Sequence, residues 1–291
     1  MTKQPIAALR VADLATSVAF YTERLGFALG EQHPEADRAG CFYPLNPDGN
    51  SFLLAGPGAE DVMPYLNGPR IVLEPGETIR FLREDLETWR AALTERDVSN
   101  LEIIEGPWER SLSLTDPDGY ILSFVTLKQL TPAETLERYA NCPDELETVV
   151  SGLSEEDLGL SSAPGAWSIR QIVHHIADGD DLWSMALKAA LARSGFHYSQ
   201  DWYTTDNAIA EPLDYAGRAI APSLALFRAH RAHITQLMQH LPDAWERYIL
   251  FRWPNTEAEE QVSAGTIIRA QARHAEEHIE AIRRILRQHG H

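Results

Sequence analysis

The stretch TLKQLTPAETLERY, Thr126–Tyr139, is where one sequence periodicity gives way to another. Its second half is a helix start. Thr131 is a capping residue, Pro132 suits the first helical position, where no N–H is needed, and Glu134 completes a capping box three residues on. Ahead of this point apolar residues alternate in short runs. Beyond it they recur at helical spacing to the end. With 291 residues the chain is long enough for two domains. The expected fold class is α+β with paired βαβββ modules over residues 1–128, followed by an all-α four-helix bundle over residues 131–291.

Working back from that boundary, RSLSLTDPDGYILSFVTL (110–127) reads as a hairpin around DPDG, where Pro presets one dihedral and Gly tolerates a positive one. ETIRFLREDLETWRAALTERDV (77–98) reads as a strand and then a helix through Leu86, Trp89 and Leu93. The same order precedes it. IAALRVADL opens strand-like, LATSVAFYTERLGF has helical spacing at Leu14, Val18, Tyr21 and Leu25 before Gly26, and CFYPLNPDGNSFLLAG is a hairpin around NPDGN. This is an internal repeat of about sixty residues.

With VADLATSVAFYTERLGF at its front and LTDPDGYILSFVTL at its back, residues 4–128 resemble the vicinal oxygen chelate superfamily of glyoxalases, extradiol dioxygenases and bleomycin-resistance proteins. Members that hold a metal place His, Gln or Glu at fixed strand positions. Here those positions fall on Ile6, near Thr78, and on Ser123, none of which suits a divalent metal. His33, the one histidine of this half, stands beside Pro34 in a polar stretch and reads as surface. The resemblance therefore implies a metal-free cup for a small molecule, or a domain kept for packing or dimerisation.

Downstream, four long helices are expected at 132–152, 168–194, 216–241 and 262–288, with Pro222 in or kinking the third. In the last, Ile267, Gln271, His274, His278, Ile282 and Ile285 share one face, and most of its members besides the histidines are apolar, so both histidines turn inward. In WSIRQIVHHIADGDDLW, His175 shares a stripe with Ile172, Gly179, Leu182 and Ala186. His174 shares one with Gln171, Asp178 and Asp181, the side expected to face solvent or to support the site from behind. Three inward imidazoles, His175, His274 and His278, suit a divalent transition metal with a position left for water or substrate. Burying three without a common partner is costly.

GAWSIRQIVHHIADGDDLW with a terminal RHAEEHIEAI resembles the DinB-like four-helix bundles, and among them the bacillithiol S-transferase type grouped with metal-dependent hydrolases. The resemblance implies that the metal, nickel or zinc, is held by His175, His274 and His278, and that a low-molecular-weight thiol is transferred to a small-molecule electrophile in detoxification. The physical logic is that a divalent cation lowers a thiol's pKa and the thiolate attacks. The same ion activates water, so hydrolysis stays open. The competing reading is a non-catalytic sequestering protein whose first domain holds a toxin while the bundle serves assembly, for instance as a homodimer.

Composition narrows the partners. The formal charge is −18, and residues 1–130 carry 20 acids against 11 bases, so no basic lobe is available for nucleic acid or an anionic membrane. Cys41 and Cys142 lie in different halves, outside any CxxC pair, and no apolar run approaches the roughly 20 residues of a membrane helix. A cytoplasmic location is expected. HAEEH also fits the inverted zincin pattern, with Glu277 as base. Asp178 is a candidate acceptor behind the ligands. His230, His233 and His240 read as solvated or interfacial, and His289 and His291 as a fraying tail. Trp202, Tyr203 and Arg252 are candidate substrate contacts.

Overall fold

The computed structural model describes residues 7–33, 36–42, 51–59, 62, 71–200, 205–253 and 258–291. The chain divides into two units, 1–129 and 130–291.

The first unit is a βαβββ pattern made twice. β1 (Ala7–Arg10), α1 (Leu14–Ala19), β2 (Ala28–His33), β3 (Arg38–Phe42) and β4 (Ser51–Ala55) form one module, and β5 (Ile71–Leu73) extends its sheet beside β1. β6 (Thr78–Leu82), α2 (Leu86–Glu95), β7 (Ile103–Glu105), β8 (Glu109–Thr115) and β9 (Ile121–Leu127) form the other. In each, the first strand pairs in parallel with the last, Ala8 opposite Leu53 and Phe81 opposite Phe124. Both helices begin at an aspartate cap: Asp13 accepts from the Thr16 N–H at 2.7 Å and Asp85 from that of Thr88 at 3.0 Å. Beyond α1 the helix widens, the Leu25 N–H reaching the Phe20 carbonyl at 3.1 Å, and ends at Gly26 with φ 68°.

Tyr21, Phe27, Phe52, Phe81, Trp89 and Phe124 fill the core of this unit, with Phe27 and Phe81 ring centroids 5.2 Å apart. The DPDG turn is tied into that core, because Asp116 accepts from the Tyr21 hydroxyl at 2.6 Å. NPDGN lies outside the described residues, as does Ile6. Thr78 is exposed, and the Ser123 hydroxyl pairs with that of Ser113 at 3.1 Å. His33 is partly exposed, 3.4 Å from Glu31.

The second unit holds α3 (Pro132–Val150), α4 (Ile169–Ala192), β10 (Phe196–Ser199), α5 (Asp206–Ala210), α6 (Ala221–His240), β11 (Tyr248–Arg252), β12 (Glu259–Ser263) and α7 (Ala264–His289). Each of α3, α4 and α7 starts at a Thr or Ser cap, and the capping boxes Thr131–Glu134 and Ser168–Gln171 are both closed. Two expectations are corrected. The third long helix begins at Ala221 rather than 216, because the chain turns at Asp214, φ 49°, and Pro222 sits in the first turn, where its missing N–H costs nothing. Nor is the unit helical throughout. β10, β11 and β12 form a small sheet, Tyr248 to Arg252 alternating between inner and outer faces as a strand requires.

A buried arginine locks the four long helices together. Arg231 of α6, 1% exposed, donates through Nε to Asp180 of α4 at 3.0 Å, through Nη1 to the Tyr139 carbonyl of α3 at 2.9 Å, and through Nη2 to the Gln271 carbonyl of α7 at 2.8 Å. The Tyr139 carbonyl is available for a sequence reason. Its normal helical partner four residues on is Pro143, which has no N–H. The guanidinium also lies over the Tyr139 ring, 4.0 Å from its centroid.

Candidate metal centre

His175, Gly179 and Leu182 succeed one another on the inner face of α4, and His274 and His278 stand one turn apart on α7. The Nε2 atoms of His175 and His274 are 3.0 Å apart, and the ligand atoms of His175, His274 and His278 all lie within 4.8 Å of one another. The three rings pack edge to face at centroid distances of 4.9, 4.7 and 4.5 Å. Trp167 closes on His175 from the start of α4, at 4.8 Å. Among the described residues, this is the one group of three or more His, Cys, Asp or Glu side chains gathered closely enough to hold an ion.

Electrostatics favour the form a metal needs. Burial lowers all three pKa values. That of His274 falls to about 3, with the charges of His278 and His175 adding to the effect of burial. That of His278 falls to about 4, through burial and His175. His175 is lowered by burial, opposed by Asp206 and Asp178. The imidazoles are thus neutral near pH 7, with lone pairs free. The donor set fits a divalent transition ion: nitrogens sharing one tetrahedral zinc at 2.0–2.1 Å lie about 3.3 Å apart, close to the separation seen between His175 and His274.

A cavity of ≈ 520 Å³ opens onto His175 and His274. Trp183 of α4, Phe251 of β11 and the following Trp253 form one wall, with Trp183 and Phe251 stacked at 5.3 Å and Phe251 edge-on to Trp253 at 4.6 Å. Gln271, one turn before His274, lines the cavity at 6% exposure, and its Oε1 is buried without a hydrogen-bond partner. Asp206, the first residue of α5, also faces this space.

The structure brings together the three histidines that the sequence singles out, but it places a neighbour otherwise than expected. His174 is fully buried rather than solvated. The chain after α5 covers that side of α4, so the His174 Nε2–H donates to the Arg218 carbonyl at 3.2 Å and Nδ1 accepts from the Ser223 hydroxyl at 2.8 Å. Asp178 meets Arg218 at 3.5 Å. Glu277 is 61% exposed and pairs with Arg273, so it points away from the ligands and cannot serve as the zincin-type base. His233 and His240 are exposed, while His230 approaches Asp181 at 3.4 Å. His289 reaches the Ser161 carbonyl and His291 approaches Asp157. Arg252 is not among the residues lining the cavity, and Trp202 and Tyr203 lie outside the described residues. Sequence reasoning missed Asp206, Arg231 and the aromatic wall. The alternation in YILFRW, 248–253, was the available signal for that wall.

Comparison with known proteins matches both halves. Residues 3–124 match the Glyoxalase/Bleomycin resistance protein/Dioxygenase superfamily and residues 138–282 the DinB superfamily. A Geobacillus kaustophilus protein named "Putative metal-dependent hydrolase" is 29% identical over 142 residues, 46% of this chain and 75% of that protein. An Oceanobacillus iheyensis protein of the same name is 27% identical over 171 residues, 56% of this chain and 86% of that one. Among solved structures, YfiT from Bacillus subtilis, described as a probable metal-dependent hydrolase with an unusual four-helix bundle topology, aligns with a TM-score of 0.50. It is 22% identical over 56% of this chain and 90% of that one, a likeness of fold. Among the described residues no helix is long and apolar enough to cross a membrane.

Proposed function

We propose that the protein is a metal-dependent enzyme of small-molecule detoxification in the cytoplasm, in which His175, His274 and His278 hold nickel or zinc. In this reading the second unit joins a nucleophile, either a low-molecular-weight thiol or water, to a small-molecule electrophile. The observation that carries the reading is the convergence of three neutral imidazoles from two helices, two of them, His175 and His274, lining an open cavity.

A divalent ion there lowers the pKa of a bound thiol or water and so supplies the nucleophile at neutral pH. The chain's own groups do the rest. Asp206 offers a carboxylate on the cavity wall to take up the nucleophile's proton. Gln271, 6% exposed on the cavity wall, limits the room beside the histidines. Trp183, Phe251 and Leu182 keep water from the reacting atoms.

The test is an electrophile-consumption assay with and without added thiol, and with and without EDTA. The reading requires activity that EDTA abolishes and that one added divalent ion restores. Thiol dependence assigns transfer, and thiol-independent turnover assigns hydrolysis. Full activity in His175→Ala and His274→Ala, or after removal of metal, contradicts it.

A further inference from the structure

The strand register of the small sheet sorts charge around the cavity. Phe251 pairs with Glu260 and Arg252 with Glu259. Because strand side chains alternate, Phe251 and Glu260 face the cavity while Arg252 and Glu259 face the other way. Among the described residues, the charged groups lining the cavity are the acids Asp206 and Glu260, with no lysine or arginine. Trp253 fixes Glu260 there, its indole N–H donating to the carboxylate at 3.0 Å. Flat rings and two carboxylates thus meet in one space.

We infer that this cavity selects a flat, aromatic small molecule bearing a positive charge or a hydrogen-bond donor, and rejects anions of the same shape. The ring lies against Trp183, Phe251 and Trp253, and the cationic or donor end is drawn to Glu260 and Asp206. The π faces of Trp and Phe attract cations, and the carboxylates of Asp206 and Glu260, both exposed at the cavity's edge, add a Coulombic pull in the same sense. Along these walls an anion finds repulsion at both carboxylates and no lysine or arginine, while a divalent ion on the histidines would act in the opposite sense only at the cavity's inner end. That the ligand is a substrate rests on the proposed metal chemistry. The ligand class itself rests on the walls alone.

The test uses three probes that share a ring: naphthalen-2-ylmethyl-trimethylammonium, naphthalen-2-ylmethanol and naphthalene-2-sulfonate. None carries a thiol or amine that would ligate metal. Binding to the full chain is followed by calorimetry and by quenching of tryptophan fluorescence, and metal content is measured on the same samples. The cation should bind about tenfold or more tightly than the sulfonate, with the alcohol between them. Trp253→Ala should weaken the cation several-fold and Trp253→Phe less. Glu260→Gln should narrow the cation-to-sulfonate ratio while leaving the metal content unchanged. Equal or tighter binding of the sulfonate, or a ratio indifferent to Glu260→Gln, overturns the inference. A protein that carries metal yet shows that result keeps the proposed chemistry and loses only the ligand class. A protein without metal that still ranks the probes as stated keeps the ligand class and loses the chemistry.

Discussion

Replacing Arg231 by Met gives the sharpest test of how the bundle holds its site together. The change keeps an apolar stem but removes the donors to Asp180 and to the Tyr139 and Gln271 carbonyls. Asp180 is 1% exposed, and its Oδ2 already lacks a partner. Leaving one member of a buried pair behind costs about 3–5 kcal/mol. The carboxyl can escape part of that cost by taking a proton. Burial already raises its pKa, Arg231 opposes the rise, and removing Arg231 removes the opposition. A folded-state pKa raised above the unfolded value gives stability that is full at low pH and is lost as pH climbs toward the folded pKa, at about 1.4 kcal/mol per pH unit. The variant should therefore fall further below the parent at pH 8 than at pH 5. Urea unfolding followed at 222 nm reports mainly α3, α4, α6 and α7, and so isolates this unit. The double variant Asp180→Leu/Arg231→Met should recover much of the loss, because an apolar pair replaces the ionic one. A loss under about 1 kcal/mol at pH 8, or no pH dependence, or no recovery in the double variant, would refute the reasoning.

Other consequences are simpler to read. His274→Ala should weaken metal binding by more than about 100-fold, beyond the loss typical of groups behind the ligands, as measured by competition with a chromophoric chelator. In EDTA, the depressed pKa values of His274 and His278 mean that the unfolded chain binds more protons below pH 6.5. Stability should be full above that pH and fall, by up to about 1.4 kcal/mol per pH unit per histidine, as pH drops toward 4, with a shallower slope in His278→Asn. The Cys142 thiol, buried and pushed up to about 11, should resist iodoacetamide at pH 8 until the unit unfolds, as peptide mapping would reveal. Gly179→Ala should raise stability by about 0.5–1 kcal/mol through helix propensity. Its Cβ would lie 3.7 Å from His274 Cε1, an ordinary contact, so a marked loss of stability would contradict the packing described.

Local signals made much of this legible in advance. Thr131, Pro132 and Glu134 announced α3, and the 3.6-residue stripes separated His175 from its neighbours and turned His274 and His278 inward. Less was legible where a residue's surroundings come from distant chain. The stripe of His174 carries acids and so reads as solvated, but Tyr215, Arg218 and Ser223, more than 40 residues on, enclose it. Arg231 sat among histidines and arginines on a polar-looking helix. Its burial depends on a carbonyl freed by Pro143 and an acid on α4, a pairing that no spacing along one helix displays. Asp206 and Glu260 join the cavity through α5 and the small sheet, elements that a purely helical reading of this half had no place for.

The central claim is most directly tested by metal analysis of the untagged protein in a His289→Gln/His291→Gln background, combined with X-ray absorption at the metal edge. The account predicts near one transition ion per chain, with three imidazole nitrogens at about 2.0–2.1 Å, and loss of that signal in His175→Ala. Substoichiometric metal, or an ion whose coordination is unchanged by His175→Ala, would contradict it.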